Sequence, residues 1–386
     1  MRFERVFVMV LDSVGVGPLP DAPDYGDDDA ATLPHIAEAC SGLELPNLAR
    51  WGLGNIATIA GTPPHPCPEA AFGKMAERSK GKDTMVGHWE LAGLITSAAL
   101  STWPNGFTDE ILEEIRDISA RPVLGNCAAS GTEIIEQLGA EHLRTGGLIV
   151  YTSADSVLQI AAHEKVVAPT ELWDLCRELR PLADRHLIGR VIARPFVGAP
   201  GEFKRTHLRR DFPMPPPAKT VLDLCSEQGV EVVGVGKIHD IFAGRSIDRS
   251  VHTKSNTDGI AKTLELLSEP QHHSRLVFIN LVDFDMLYGH RNDPAGYGRA
   301  LQELDSAIPA IEAKMRDRDL VIVTADHGND PTTTGTDHSR EYVPVLARDS
   351  SARGSDLGTR STFADVAATI SRSFGLAPWP VGEPLI

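Results

Sequence analysis

Three acidic residues lying far apart in the chain each follow an apolar run rich in β-branched residues: Asp12 after VFVMVL, Asp285 after LVFINLV, and Asp326 with His327 after LVIVTA. Such runs read as strands buried on both faces, the kind that build a mostly parallel sheet flanked by helices. The carboxyl ends of parallel strands share one edge, and ligands bind there, so segments distant in sequence can meet. His290 and His338 lie a few residues beyond the second and third of these strands, enough to complete two metal centres. Mixed carboxylate and imidazole ligands suit divalent ions such as Mn²⁺, Zn²⁺ or Fe²⁺, and the lack of cysteine in the set speaks against structural zinc. Any one of these histidines alone would be read as a structural hydrogen-bonding residue, but the joint pattern is hard to obtain from packing.

The chain has 386 residues, which suits about two domains with substantial cores. Its 42% hydrophobic and 23% charged residues are those of a soluble globular protein, with no run long enough to cross a bilayer. Val6 to Leu11 is too short for a signal peptide's apolar core, so the expected location is cytoplasmic. Five cysteines without a CxxC pair read as scattered reduced thiols. A net charge of −16, from 37 basic against 53 acidic residues, argues against nucleic acid or an anionic membrane as partner. Any anionic substrate needs a local basic patch, and no protein partner is called for.

The first and last thirds alternate β-branched runs with helix-like segments, the signature of βα units. GVEVVGVG (229–236) reads as a further buried strand, and 220–228, 257–269 and 297–315 as helices. In the last, Tyr297, Leu301, Leu304, Ile308, Ile311 and Met315 form one helical face, which Pro309 should kink or break. Residues 98–219 differ in pattern and close on Pro213, Pro215, Pro216 and Pro217, read as a stiff connector. The expected organisation is a core split in sequence, 1–97 with 220–386, and an inserted α/β cap domain, 98–219. The acidic run Asp27, Asp28, Asp29 lacks the glycine and distal glutamate of a calcium loop and reads as solvated. Gly15 and Gly17 suggest a dinucleotide loop, but Pro20 stands at the third glycine position, which excludes it.

A two-metal site stabilises the attacking and leaving oxygens of displacement at phosphorus or sulfur. The segment GKDTMVGHWE (81–90) offers a hydroxyl, Thr84, beside Lys82 and Asp83. Threonine is a poor nucleophile until activated, and from composition alone Thr84 would be a helix cap.

Together, DSVGVG (12–17), GKDTMVGHWE, YTSADSVLQIAAHE (151–164), GRVIARPFVG, GKIHDIF, TKSNTDGI, NLVDFDMLYGHRND and TADHGNDPTTTGTDHSREYVPVL closely resemble the prokaryotic phosphopentomutase family of the alkaline phosphatase superfamily. The resemblance runs over effectively the whole chain and implies an alkaline-phosphatase-like α/β core. It further implies that Asp12, Thr84, Asp326 and His327 hold one manganese ion and Asp285, His290 and His338 another, other divalent ions being alternatives. Thr84 would carry the phosphoryl group between ribose or deoxyribose 1-phosphate and the 5-phosphate, through a bisphosphate, with a sugar bisphosphate as primer. Val86, where many relatives have threonine, and Ser339 are departures that remove no ligand.

A phosphothreonine must be kept from water, and a movable cap is the expected device. Arg194 and Arg209 in the cap, Lys237 in GKIHDIF and Asp155 are the expected substrate contacts, arginine for its paired donors to phosphate. Each has an ordinary reading: Arg194 pairing on the surface, Lys237 ending a strand, Asp155 capping a helix after YTSAD. His88 and Trp89 are expected to support the ligands. The rival activities are a cofactor-independent phosphoglycerate mutase, which carries phosphate on serine, a metal-dependent phosphatase or sulfatase, and a non-catalytic metal or sugar-phosphate binder.

Overall fold

The strand Arg5–Leu11 is buried along its whole length and apolar beyond Arg5, which a strand achieves only with neighbours on both edges and helices on both faces. The computed structural model describes residues 2–153, 155–270 and 272–386. In chain order its strands are β1 Arg5–Leu11, β2 Ala71–Met75, β3 Val123–Ala128, β4 Leu148–Thr152, β5 Val157–His163, β6 Arg190–Val197 and β7 Lys204–Arg205. They continue with β8 Arg210–Pro213, β9 Glu231–Val235, β10 Arg249–Val251, β11 Arg275–Leu281, β12 Asp319–Thr324, β13 Val343–Asp349 and β14 Asp356–Arg360. The chain divides into two compact units, Met1–Ala98 with Pro216–Ile386, and Ala99–Pro215.

The first unit holds an eight-stranded sheet ordered β10-β9-β11-β1-β12-β13-β2-β14. All neighbours are parallel except β13, antiparallel to both β12 and β2. β1 lies between β11 and β12, with Leu11 opposite Leu281 and Val10 opposite Thr324, so the three strand ends that precede Asp12, Asp285 and Asp326 emerge side by side. Arg5 and Asp319 face one another at the start of β1 and β12 and form a fully buried ion pair, Arg5 Nε donating to Asp319 Oδ1 at 2.7 Å.

The helix Pro294–Lys314 buries Tyr297, Leu301, Leu304, Ile308 and Ile311, as the periodicity predicts. It runs past Pro309 without a break. The buried face on both sides of the proline, Leu304 before it and Ile311 after it, offsets the one lost hydrogen bond.

In the second unit the sheet is ordered β3-β4-β5-β6-β7, with β8 also pairing with β6. One face, with Leu148, Val150, Leu158, Ile160 and Val191, packs on Ile111, Ile115, Leu172 and Leu175 of the helices Asp109–Ser119 and Pro169–Glu178. The other, with Ile149, Tyr151, Ala161 and Phe196, packs on Ile134 and Ile135 of the helix Gly131–Thr145. Pro213 is not connector but the last residue of β8, opposite Arg190. An edge strand tolerates proline because the missing N–H faces no neighbour. No helix follows YTSAD; the chain enters β5 at Val157, so Asp155 caps none.

Candidate metal centre

Asp12 directly follows β1, and its N–H donates to Leu281 O at 3.3 Å, tying the end of β1 to β11. Ser13 then turns with φ of 74°, a left-handed conformation that is costly for a residue with a side chain. Its N–H donates to Asp326 Oδ1 at 3.1 Å, which joins the first and third strand ends. Asp12, Asp326 and His327 are buried, and one potential ligand atom of each lies within 4.8 Å of the others. His327 Nε2 is 3.4 Å from Asp12 Oδ1 and 3.3 Å from Asp326 Oδ2.

Thr84 joins this group, its Oγ1 lying 3.1 Å from His327 Nε2. It is the first residue of the helix Thr84–Leu91, and the capping role belongs to Asp83, whose carboxylate accepts from the Met85 and Val86 N–H groups. The hydroxyl thus sits free of capping duty at the positive end of a helix, where negative charge is favoured. Gly87 sets the helix against the third strand end, since a Cβ there would lie 2.1 Å from Asp326 O.

The second group is Asp285, in a π-helical turn Phe284–Tyr288, His290, in the turn Gly289–Arg291, and His338. His290 Nε2 is 3.1 Å from Asp285 Oδ2, His338 Nε2 is 3.4 Å from Asp285 Oδ1, and the two Nε2 atoms are 3.3 Å apart. The rings of His327 and His338 stack with centroids 4.0 Å apart, so the two groups are neighbours.

Every one of these imidazoles directs Nδ1 to a backbone carbonyl: His327 to Gly328, His290 to Thr336 and His338 to Lys82. With Nδ1–H donating there, Nε2 is the atom turned to the carboxylates, the arrangement a metal-binding histidine requires. Burial and the charge of Asp326 push the Asp12 carboxyl above its ordinary value. For Asp285 burial opposes ionisation, but hydrogen bonds from His290 and His338 outweigh it and hold the carboxyl well below. The same bond to Asp285 raises His290 to about 9. Asp12 Oδ1 and Asp326 Oδ2 are buried and make no well-formed hydrogen bond: His327 Nε2 stands 3.4 and 3.3 Å from them, and His88 Nδ1, 3.0 Å from Asp326 Oδ2, is directed to Thr84 O. Uncompensated buried carboxylate oxygens are costly, and a cation between them removes the cost. The residues present therefore fit two divalent cations.

Asparagines complete the surroundings, and sequence reasoning overlooked them. Asn280 Nδ2 donates to Asp12 Oδ2 at 2.8 Å, and Asn329 Nδ2 donates to Asp285 Oδ1 at 2.9 Å. The available signal for the first was one amide inside the apolar run LVFINLV. His88 Nδ1 donates to Thr84 O at 2.8 Å, and Trp89 Nε1 donates to Ile241 O at 3.1 Å, which anchors the Thr84 helix. Asp27 is not solvated: it pairs with Lys82 at 2.9 Å and accepts from the Arg340 N–H, fastening the loop before Thr84. Gly17 donates its N–H to the buried Glu341 carboxylate at 3.0 Å, so this loop serves an internal anion.

Of the remaining expected residues, Arg194, Arg209 and Asp155 belong to the second unit and Lys237 to the first. Within the second unit Arg194 is half-buried, its Nε donating to Gln159 Oε1 at 3.1 Å, and no carboxylate among the described residues lies within ion-pair distance of it. Arg209 is engaged in a two-pronged pair with Asp211, both bonds 2.7 Å. Asp155 is exposed. In the first unit Lys237 precedes the short helix Ile238–Ile241 without making a side-chain capping bond. The cysteines are all free thiols. Among the described residues no helix is long and apolar enough to cross a membrane.

The metalloenzyme superfamily matches residues 4–378 of the chain. The phosphopentomutase of Anaeromyxobacter sp. (strain K) is 56% identical over 373 residues, covering 96% of each chain. That of Caldanaerobacter subterraneus subsp. tengcongensis is 53% identical over 385 residues, 99% of this chain and 97% of its own. That of Syntrophotalea carbinolica is 54% identical over 377 residues, 97% of this chain and 96% of its own.

Proposed function

Since the chain belongs to the phosphopentomutase family of the metalloenzyme superfamily, and is thus an isomerase of the intramolecular phosphotransferase kind, we propose that Thr84 carries the phosphoryl group it transfers. The substrates in this reading are ribose or deoxyribose 1-phosphate and the corresponding 5-phosphate. Asp12, Asp326, His327 and Thr84 would hold one divalent cation, and Asp285, His290 and His338 the other, manganese being the ion we assign. When bound, such ions neutralise phosphoryl oxygens and lower the pKa of a coordinated hydroxyl.

The observation that carries the reading is Thr84 Oγ1 at 3.1 Å from His327 Nε2, at a helix N-terminus whose capping bonds come from Asp83. A hydroxyl with no capping bond to make, held against an imidazole that faces two buried carboxylates, supports a role in attack on a phosphate ester. The helix N-terminus then favours the dianion it receives. Phosphothreonine passes its phosphoryl group to the free hydroxyl of a pentose monophosphate, regenerating Thr84 and forming a bisphosphate. The other phosphate of that bisphosphate returns to Thr84 and releases the isomer. A sugar bisphosphate primes enzyme that has lost its phosphoryl group.

The unit Ala99–Pro215 would recognise the phosphate not being transferred, through Arg194 and Arg209, with Asp155 and Lys237 at the sugar. Arg194 supports this best, a half-buried guanidinium without a carboxylate partner. For Arg209 to take part, it must share or exchange its bonds to Asp211.

The test is a coupled assay of ribose 1-phosphate to ribose 5-phosphate with Mn²⁺ and a priming bisphosphate, with inorganic phosphate followed in parallel. Isomerisation without matching phosphate release, abolished by Thr84→Ala, is the expected result. Phosphate release alone would make the protein a hydrolase, and unimpaired isomerisation by the variant would remove Thr84 from its role.

A further inference from the structure

The turn that delivers Thr84 is held by residues far from it in sequence. Gly81 N–H donates to Tyr25 Oη at 3.2 Å, and Gly81 O accepts from Arg340 Nη1 at 2.7 Å. The Lys82 ammonium pairs with Asp27 Oδ2 at 2.9 Å, and Lys82 O accepts from His338 Nδ1 at 2.9 Å. Gly81 stands at φ of 116°, and glycine has little conformational preference of its own, so the turn depends on these anchors.

Three of the four lead back to one side chain or its own backbone. Arg340 donates to Gly81 O directly, its guanidinium lies over the Tyr25 ring at 5.2 Å, and its N–H donates to the same Asp27 oxygen that pairs with Lys82, at 2.9 Å. The fourth anchor, His338, precedes Arg340 by two residues and is one of the second group of candidate ligands.

Arg340 is 2% exposed and fully engaged. Its Nε and Nη2 donate to the two carboxylate oxygens of Asp21 at 3.2 and 3.1 Å, Nη1 to Glu77 Oε2 at 2.5 Å, and Nη2 to Glu77 O at 3.0 Å. Burial pushes the Glu77 carboxyl well above its ordinary value, and Arg340 is the largest influence opposing it. A planar fork with donors in fixed directions meets acceptors on Asp21, Glu77 and Gly81 at once, which the compact ammonium of a lysine does not.

We propose that Arg340 is a positioning residue of the centre: it fixes the turn 81–83 so that the Thr84 hydroxyl meets His327 and the Lys82 carbonyl orients His338 toward a divalent cation. The proposal deepens the function proposed above and rests on it for the role of Thr84. Arg340 acts through Gly81, Tyr25 and Asp27, not on the reacting atoms.

The test titrates Mn²⁺ by calorimetry into the full-length protein stripped of divalent ions. It then measures kcat and KM for ribose 5-phosphate with manganese saturating and a priming bisphosphate present. Arg340→Lys keeps the charge and loses the fork, Tyr25→Phe and Asp27→Asn each loosen one anchor, and Asp223→Asn controls for lost stability alone. In Arg340→Lys one of the two manganese equivalents should bind about ten-fold or more weakly. Its kcat should fall about 10²-fold with KM unchanged. Tyr25→Phe should lose about three-fold in kcat, and Asp223→Asn should keep both ion affinities and kcat. An Arg340→Lys protein that binds both ions and turns over like the parent would overturn the proposal, as would a loss confined to KM, a loss that Asp223→Asn reproduces, or a parent that binds no manganese. Should Arg340→Lys fail to fold, Tyr25→Phe and Asp27→Asn decide, and parental ion affinity and kcat in both overturn it. A parent without mutase activity would sink the function proposed above, while the manganese titration would still report on Arg340.

Discussion

Thr84 and the groups around it each perform one task because a neighbour takes over the other. Asp83 caps the helix, which leaves the Thr84 hydroxyl uncommitted, and the Nδ1–H of each imidazole is spent on a carbonyl, which turns Nε2 inward. His290→Ala should therefore lose one bound ion and keep the other, since Asp12, Asp326 and His327 are untouched. Metal content measured on the purified protein should fall from two equivalents to one. Asp223 shows the same economy away from the centre. Burial opposes its ionisation, but bonds from the Thr220 N–H, Ser246 and Arg245 outweigh that and hold its carboxyl below the ordinary value. A depressed carboxylate stabilises the fold above its unfolded pKa, and the contribution is lost as pH falls through the folded one. Asp223→Asn should cost about 1–3 kcal/mol at neutral pH, with the difference from the parent narrowing in denaturant titrations below about pH 4.

The helix Thr84–Leu91 and the strands β1 and β12 act as a unit, and close backbone approach is what joins them. Gly87→Ala would drive a methyl group into Asp326 O and push the helix, and Thr84 with it, off the third strand end. A displacement near 1 Å at the reacting atoms costs about 10²-fold in rate. The expected loss is in kcat, while the far-ultraviolet circular dichroism stays that of the parent. Below the centre, Arg5 and Asp319 lock the register of the same two strands from a site with no exposure. Asp319→Ala strands a buried guanidinium and should destabilise by about 3–5 kcal/mol in chemical unfolding. That pair was invisible as a pair in the sequence, because two opposite charges at the heads of distant strands have no local signature. The helix carrying Pro309 was misjudged for a related reason: proline's penalty is local, but the buried face that overrides it belongs to the packed helix.

For the molecule as a whole, the proposed centre would be a folding element as well as a functional one. Chelation should lower Tm by exposing the cost of buried carboxylates, and restoring the ion should raise it with concentration, the stability gained reaching about 2.7 kcal/mol at a hundred-fold excess over Kd. An unchanged Tm in a scanning calorimeter would mean that the groups at Asp12 and Asp285 hold no ion. Much of this centre was legible before any coordinates, because the relevant properties are local. An apolar β-branched run declares a buried parallel strand, and a carboxylate or imidazole at its end declares what can bind there. Residue order alone therefore marked the buried strands β1, β11 and β12 and, at or just beyond their ends, the acidic and imidazole residues that the fold gathers into two groups. Tertiary structure decided which donors are free and which are already taken: Asp83 rather than Thr84 as cap, Arg209 bound to Asp211 while Arg194 is not, Asn280 and Asn329 against the carboxylates, and Tyr151 Oη left without a partner. Each of these outcomes is a competition among several candidates of equal local merit, and only distances across the folded chain decide it.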